Sequence, residues 1–282
     1  MPYLERAGEP RLHYELDDYT DPWKKAPCIL LQHGYARSTL LWRAWIPYLS
    51  RFYRVLRLDL RGLGQSGRDF DLARGINLEA YLKDFTDLLD HLGIDSVHYC
   101  GESSAGTLGM AFAAERPSRV RTLTVISSPV AMSEEDKVSA LAGHPDRVTA
   151  LRKMGSRGWL EASNAGRRFP ANTDPRLLDW TLDEMGKSDV EVLVAMFKFV
   201  SNVDAAPCLP KIAAPMLAIY PAAAGVITKD EHTALLREKV RNLKLVRVPL
   251  NAHSLQVVAP ATCANEVLYF ISQHDGIVCR EA

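Results

Sequence analysis

Hydrophobic positions along the chain change period several times, and the changes mark its elements. Pro2 to Asp18 alternates apolar and polar residues around Ala7-Gly8-Glu9-Pro10, which predicts a hairpin. Cys28-Ile29-Leu30-Leu31-Gln32 is a continuous apolar run, the pattern of a strand buried on both faces. Trp42, Trp45, Ile46 and Leu49 fall at helical spacing, and Pro47 must kink that helix or begin a new one. Arg54 to Asp59 reads as the next strand, followed by the glycine-rich loop Arg61-Gly62-Leu63-Gly64-Gln65-Ser66-Gly67. Leu78, Tyr81, Leu82, Phe85, Leu88, Leu89 and Leu92 then form one apolar stripe, opened by Asn77 as N-cap and stopped by Gly93. A strand ending near Cys100, an alanine-rich helix over 107–115 and a strand over 120–126 complete the first half.

From Ser127 to about Pro210 strand signals vanish, and charged, Trp-bearing helical segments replace them (133–142, 145–153, 176–187, 190–200). Alternation resumes with a strand at 216–220, a helix at 229–240, a strand at 244–248 and a helix at 261–273. The pattern predicts an α/β fold, a mostly parallel sheet wrapped by helices, with its core in 1–129 and 209–282. The helical insertion 130–208 interrupts that sheet and is expected to form a lid over the strand ends, where ligands bind in open α/β sheets.

Composition narrows the function classes. Of 282 residues 47% are hydrophobic, enough for a sizeable core, and 34 Lys+Arg balance 34 Asp+Glu. A formal charge of zero gives no basic excess for nucleic acid or an anionic membrane. Met1 to Arg6 carries no apolar signal core and no run approaches membrane-spanning length, so cytoplasmic residence is expected. Five cysteines (Cys28, Cys100, Cys208, Cys263, Cys279) have no metal-type spacing; Cys28 and Cys100 sit in apolar runs and read as buried thiols. A small-molecule substrate is the expected partner, and a homo-oligomer stays open.

Chemistry enters at Gly101-Glu102-Ser103-Ser104-Ala105-Gly106, where a strand turns sharply into a helix with one hydroxyl at the apex. Ser103 Oγ must stand clear of the backbone, and small neighbours at Gly101 and Ala105 permit the strained turn that this needs. The Ser104 N–H and the first helical turn would face an oxygen that becomes negative during attack. This run resembles the nucleophile elbow of the α/β-hydrolase superfamily, with Ala105 in the last glycine position. His33-Gly34-Tyr35-Ala36 resembles that superfamily's oxyanion turn, so the resemblance implies a hole formed by the Tyr35 and Ser104 backbone N–H groups. Asn251-Ala252-His253-Ser254-Leu255 follows a strand near the C-terminus, and the order Ser first, His last, implies His253 as general base. Asp59-x-Arg61-Gly62-x-Gly64-x-Ser66 resembles a mainly structural loop of the same superfamily. The runs 42–66 and 116–120 look most like small esterases and 3-oxoadipate enol-lactonases.

One position departs from the family. Its orienting aspartate falls by spacing at Ala224, and no carboxylate lies between Tyr220 and Lys229. Either the acid comes from elsewhere, or the site is a Ser–His dyad, or the chain is a non-catalytic or altered form. Asp230 is the nearest candidate acid, although Thr228-x-x-Glu231 also reads as a capping box. Glu134, Glu135 and Asp136 are farther candidates, and Glu102 is expected to project away from the imidazole. A serine at the apex argues against the dehalogenases and epoxide hydrolases, relatives that carry aspartate there. The resemblance implies hydrolysis of a small carboxylic ester or lactone through an acyl-serine, without metal or organic cofactor. A C–C bond hydrolase and a ligand-binding protein of little turnover are the alternatives. Tyr35, Trp159 and Phe197 are candidate substrate contacts; Met154, Trp180, Met196 and Phe199 are further pocket candidates in the insertion.

Overall fold

The computed structural model describes residues 2–134, 137, 141–164, 168–222 and 229–279, which leaves Ala224, Glu135 and Asp136 outside the described residues. Strands β1 (Tyr3–Leu4), β2 (Leu12–Asp17), β3 (Cys28–Gln32), β4 (Arg54–Leu58), β5 (Val97–Glu102), β6 (Val120–Ile126), β7 (Met216–Pro221) and β8 (Leu243–Val248) form one sheet in the order β1-β2-β4-β3-β5-β6-β7-β8. The β1–β2–β4 edge is antiparallel and β4-β3-β5-β6-β7-β8 pair in parallel. Parallel pairing needs crossovers, and helices supply them. The main ones are α1 (Leu78–His91), α2 (Ser104–Glu115) and α6 (Asp230–Lys239), while α3 (Arg147–Asn164), α4 (Pro175–Gly186) and α5 (Val190–Asn202) lie between β6 and β7, and α7 (Pro260–Asp275) follows β8.

Residues alternate between faces along each strand, so the central strands divide the core in two. Leu30, Leu56, Tyr99 and Leu123 pack on one face with Leu82, Phe85 and Phe112 of α1 and α2. Ile29, Val55, Cys100 and Ile219 face the other side, against Trp42, Trp45, Leu255 and Ile271. This two-sided burial explains why β3 and β7 read as unbroken apolar runs. The α1 stripe buries Tyr81, Leu82, Phe85, Leu88 and Leu89. Each such side chain contributes about 1.5–3 kcal/mol on burial. Asn77 caps α1 by accepting from the Ala80 N–H at 2.9 Å. Pro47 begins a helical turn, Ile46–Leu49, directly after the 3₁₀ segment Thr39–Trp45. Among the described residues no helix is long and apolar enough to cross a membrane.

α3 begins at Arg147 and runs well past the expected end at 153, because two helical pieces join across a kink at Gly155 (φ 71°). There a left-handed glycine lets the chain change direction without a break.

Candidate functional site

Strain gathers at the C-terminal ends of the strands. Ala36 (φ 59°), Ser103 (φ 55°) and Ser127 (φ 48°) follow β3, β5 and β6, and all three are non-glycine residues in the left-handed region. Such residues persist where surrounding structure over-determines them. At Ser103 the causes are visible: its N–H donates to the Ile126 carbonyl at 2.9 Å, and its own carbonyl accepts from the Gly106 N–H at 2.9 Å. A Cβ at Gly101 would lie 2.5 Å from the Ala105 oxygen, and one at Gly106 1.9 Å from Ser128 Oγ, so glycine is required on both sides of the apex.

His253 arrives on the loop after β8. Its Nε2 lies 3.1 Å from Ser103 Oγ. The loop is anchored by the Ser254 N–H, which donates to the Arg168 carbonyl at 3.0 Å, and by the Trp45 indole, which donates to the Gln256 carbonyl at 2.9 Å. Burial pushes the His253 pKa well below the usual histidine range, and the charges of Arg168 and Arg37 push the same way. The imidazole is therefore neutral at physiological pH and able to accept a proton from Ser103. Its Nδ1 is buried with no hydrogen-bond partner among the described residues.

The turn after β3 faces the elbow. His33 Nδ1 donates to the Gly34 carbonyl at 2.9 Å and its Nε2 accepts from the Leu60 N–H at 3.1 Å, which fixes a neutral tautomer. Burial lowers the His33 pKa, consistent with that state. Asp59 accepts from the Thr39 and Gln65 N–H groups at 2.7 and 3.0 Å and pairs with His13 at 2.8 Å. The Asp59 loop thus braces the turn from behind. No turn or loop carbonyl among the described residues takes the Tyr35 or Ser104 N–H.

Sequence reasoning missed Arg37, the side chain that ties the parts together. It is buried and pairs with Glu102 at 3.2 Å, while also donating to the Tyr35 carbonyl at 3.2 Å and to Ser254 Oγ at 3.3 Å. The turn after β3, the elbow and the histidine loop are thereby joined by one guanidinium. No local pattern marks it, because Glu102 and Ser254 come from two distant segments.

Two expectations need correction. Glu102 does not project away from the imidazole: its Oε1 lies 3.7 Å from His253 Nε2, and its side chain is fully buried. The reason is strand alternation. Glu102 is two residues beyond Cys100, which packs with Ala252 and Leu255 of the histidine loop. Burial raises the Glu102 carboxyl pKa, with the charges of Arg37 and Arg168 acting against that. Asp230 is not brought to the imidazole. Its side chain is 71% exposed in the first turn of α6 and pairs with Arg247 at 2.9 Å.

Tyr35, Ser103, Ser104, Trp159 and Phe197 line one cavity of about 70 Å³ with Arg147 and Arg168. Trp159 and Phe197 stand edge-on to the Tyr35 ring, with centroids at 5.6 and 6.4 Å. The Tyr35 hydroxyl donates to the Leu193 carbonyl at 3.0 Å, which fastens α5 over the site. Met132 and Val200 also line the cavity, whereas Met196 is buried in the core and Trp180 stacks with Arg43. Among the described residues no group of three His, Cys, Asp or Glu side chains is placed to hold a metal ion.

Comparison with known proteins agrees with this fold. A family profile described as alpha/beta hydrolase fold matches residues 27–161. The 2-hydroxy-6-oxo-2,4-heptadienoate hydrolase of Pseudomonas putida is 32% identical over 157 residues, 52% of this chain and 56% of that protein. The karrikin insensitive 2 receptor IA of Petunia hybrida is 29% identical over 136 residues, 47% of this chain and 50% of that protein. The chain spans about half the length of the curated relatives it matches. Among solved structures, the enol-lactonase from Burkholderia xenovorans superimposes with a TM-score of 0.85 at 23% identity, covering 96% of this chain and 100% of that one.

Proposed function

We propose that this chain, which has the α/β-hydrolase fold, is a serine hydrolase cleaving a small carboxylic ester or lactone. The observation that carries the reading is Ser103 Oγ, held at a strained apex, 3.1 Å from a neutral His253 Nε2. In the proposed cycle His253 takes the Ser103 proton as Oγ attacks the carbonyl carbon. The Tyr35 and Ser104 N–H groups stabilise the oxyanion, at about 3 kcal/mol per donor in a dry site. The tetrahedral intermediate collapses to acyl-Ser103, and His253 gives its proton to the leaving oxygen. Water then repeats the sequence, with His253 as base, and releases the acid. Residues 130–208 act as the lid, and Tyr35, Trp159 and Phe197 supply apolar contact to the substrate.

Two observations favour other readings. Relatedness to a protein named as a hydrolase of a dienoate supports a C–C bond hydrolase built on the same Ser103 and His253. The His253 Nδ1, without a partner among the described residues, together with relatedness to a protein named as a receptor, supports a ligand-binding protein of low turnover. A fluorophosphonate probe separates enzyme from binder. Stoichiometric labelling that disappears in Ser103→Ala, with Ser103-dependent release from a chromogenic short-chain ester, supports the hydrolase. Absence of labelling refutes it.

A further inference from the structure

The cavity beside Ser103 holds more positive than negative charge. Arg168 is 7% exposed and lines the cavity with Ser103, Tyr35 and Trp159. Among the described residues no hydrogen bond or ion pair engages its guanidinium, and its Nε is shielded from solvent without an acceptor. The nearby carboxylate, Glu102, is already paired with Arg37 at 3.2 Å. Arg147, on the same wall, sits 5.9 Å from the Phe197 ring centroid and adds to the positive potential. Buried ionised groups are otherwise paired or hydrogen-bonded, because leaving water without compensation is costly. The discomfort of this arginine is evident in its pKa, pulled down to about 9 by burial and by the charge of Arg37. A guanidinium offers planar, forked donors that match a carboxylate in bidentate fashion.

We propose that Arg168 is an anion subsite, and that the substrate carries a carboxylate a few carbons from its scissile carbonyl. This rests on the serine-hydrolase reading of the same site. Arg168 and Ser103 line the same cavity of about 70 Å³, which limits the anionic arm to a short one. The subsite also bears on the missing acid. His253 lies within the electrostatic reach of both Arg168 and Arg37, which oppose the imidazolium that forms during attack. An anion bound at Arg168 offsets that opposition, so the substrate's own carboxylate supplies counter-charge that none of the described residues gives to Nδ1. The gain is therefore expected in kcat as well as in KM.

The test compares 4-nitrophenyl acetate with the 4-nitrophenyl monoester of succinic acid. The charged ester is expected to show a kcat/KM about ten- to hundred-fold above the neutral one, the range for a hydrogen bond to a charged group. Arg168→Met should bring that ratio towards one, and Arg168→Lys should retain part of it. Calorimetric titration of wild-type protein gives a second measurement that needs neither turnover nor a folded variant. Succinate is expected to bind and succinamide to bind at least about ten-fold more weakly. Equal kcat/KM for the two esters, equal binding of succinate and succinamide, or a charge preference that survives Arg168→Met in a folded variant overturns the subsite. Binding of succinate that depends on Arg168, without Ser103-dependent hydrolysis of either ester, upholds the subsite and overturns the hydrolase reading instead.

Discussion

Gly34→Ala tests the proposed oxyanion hole without touching either reacting side chain. A Cβ at position 34 would sit 2.7 Å from the Glu102 carbonyl oxygen, 3.1 Å from Ser103 Cβ and 3.2 Å from Glu102 Oε2. All three atoms belong to the elbow, and the two nearest are a backbone oxygen and a Cβ, so no side-chain rotation relieves the contact. Relief requires the turn after β3 to withdraw from β5 by several tenths of an ångström. That turn carries the Tyr35 N–H, and its withdrawal lengthens one donor to the oxyanion while leaving Ser104 in place. Loss of one such donor costs about 10²–10³ in kcat, or roughly 2.7–4 kcal/mol. Overpacking a tight contact costs about 1–3 kcal/mol of stability. For a domain of this size that corresponds to a fall in Tm of about 2–4 °C per kcal/mol. The assay is steady-state hydrolysis of 4-nitrophenyl acetate, with thermal melting on the same samples and fluorophosphonate titration of active Ser103. Reduced kcat, near-normal KM and slowed but complete labelling are expected. A kcat within about three-fold of wild type, in a variant that melts several degrees lower, would refute the oxyanion assignment to this turn.

The missing acid gives a paired prediction. Ala224→Asp is expected to raise turnover of a neutral ester by roughly ten- to 10⁴-fold, because His253 Nδ1 has no partner among the described residues. Asp230→Asn should change it by less than about three-fold, since the carboxylate is exposed and pairs with Arg247. A large loss in Asp230→Asn would restore the acid role to that residue. The pH dependence of stability follows from the buried histidines. Burial lowers the pKa of His33, His98 and His253, the last also through Arg168 and Arg37, so the unfolded chain binds protons more tightly at these positions. Stability should therefore fall as pH drops below about 6.5, by at most about 1.4 kcal/mol per pH unit for each group, down to its lowered folded value. Glu102, with its pKa raised chiefly by burial, opposes this between its raised folded value and the ordinary glutamate value. A Tm that is flat or rises between pH 7 and pH 5 would contradict the neutral assignment.

Periodicity and local chemistry carried most of the scaffold. The unbroken apolar runs of β3 and β7, the Asn77 cap, the α1 stripe and the Ser103 apex all depend on neighbours a few positions away, so the chain itself declares them. The insertion was legible as helical but not in its joins: Gly155 links two pieces of α3 through a left-handed residue that the periodic pattern does not signal.

Charge placement was decided only in three dimensions. Nothing local to Arg37 foretells an ion pair with Glu102 and a hydrogen bond 217 positions away to Ser254, and nothing local to Arg168 foretells burial beside Ser103. Glu102 was misjudged because its direction depends on which sheet face receives the histidine loop, a packing outcome. Asp230 was overvalued because nearness in sequence to Ala224 is no guide to which cation a surface carboxylate meets. Helix and strand propensities act over one or two turns, whereas desolvation and Coulomb attraction act on whatever the finished fold brings together. The chain thus specified the strained apex at Ser103 by its local sequence, and the folded packing alone specified the electrostatic field around it.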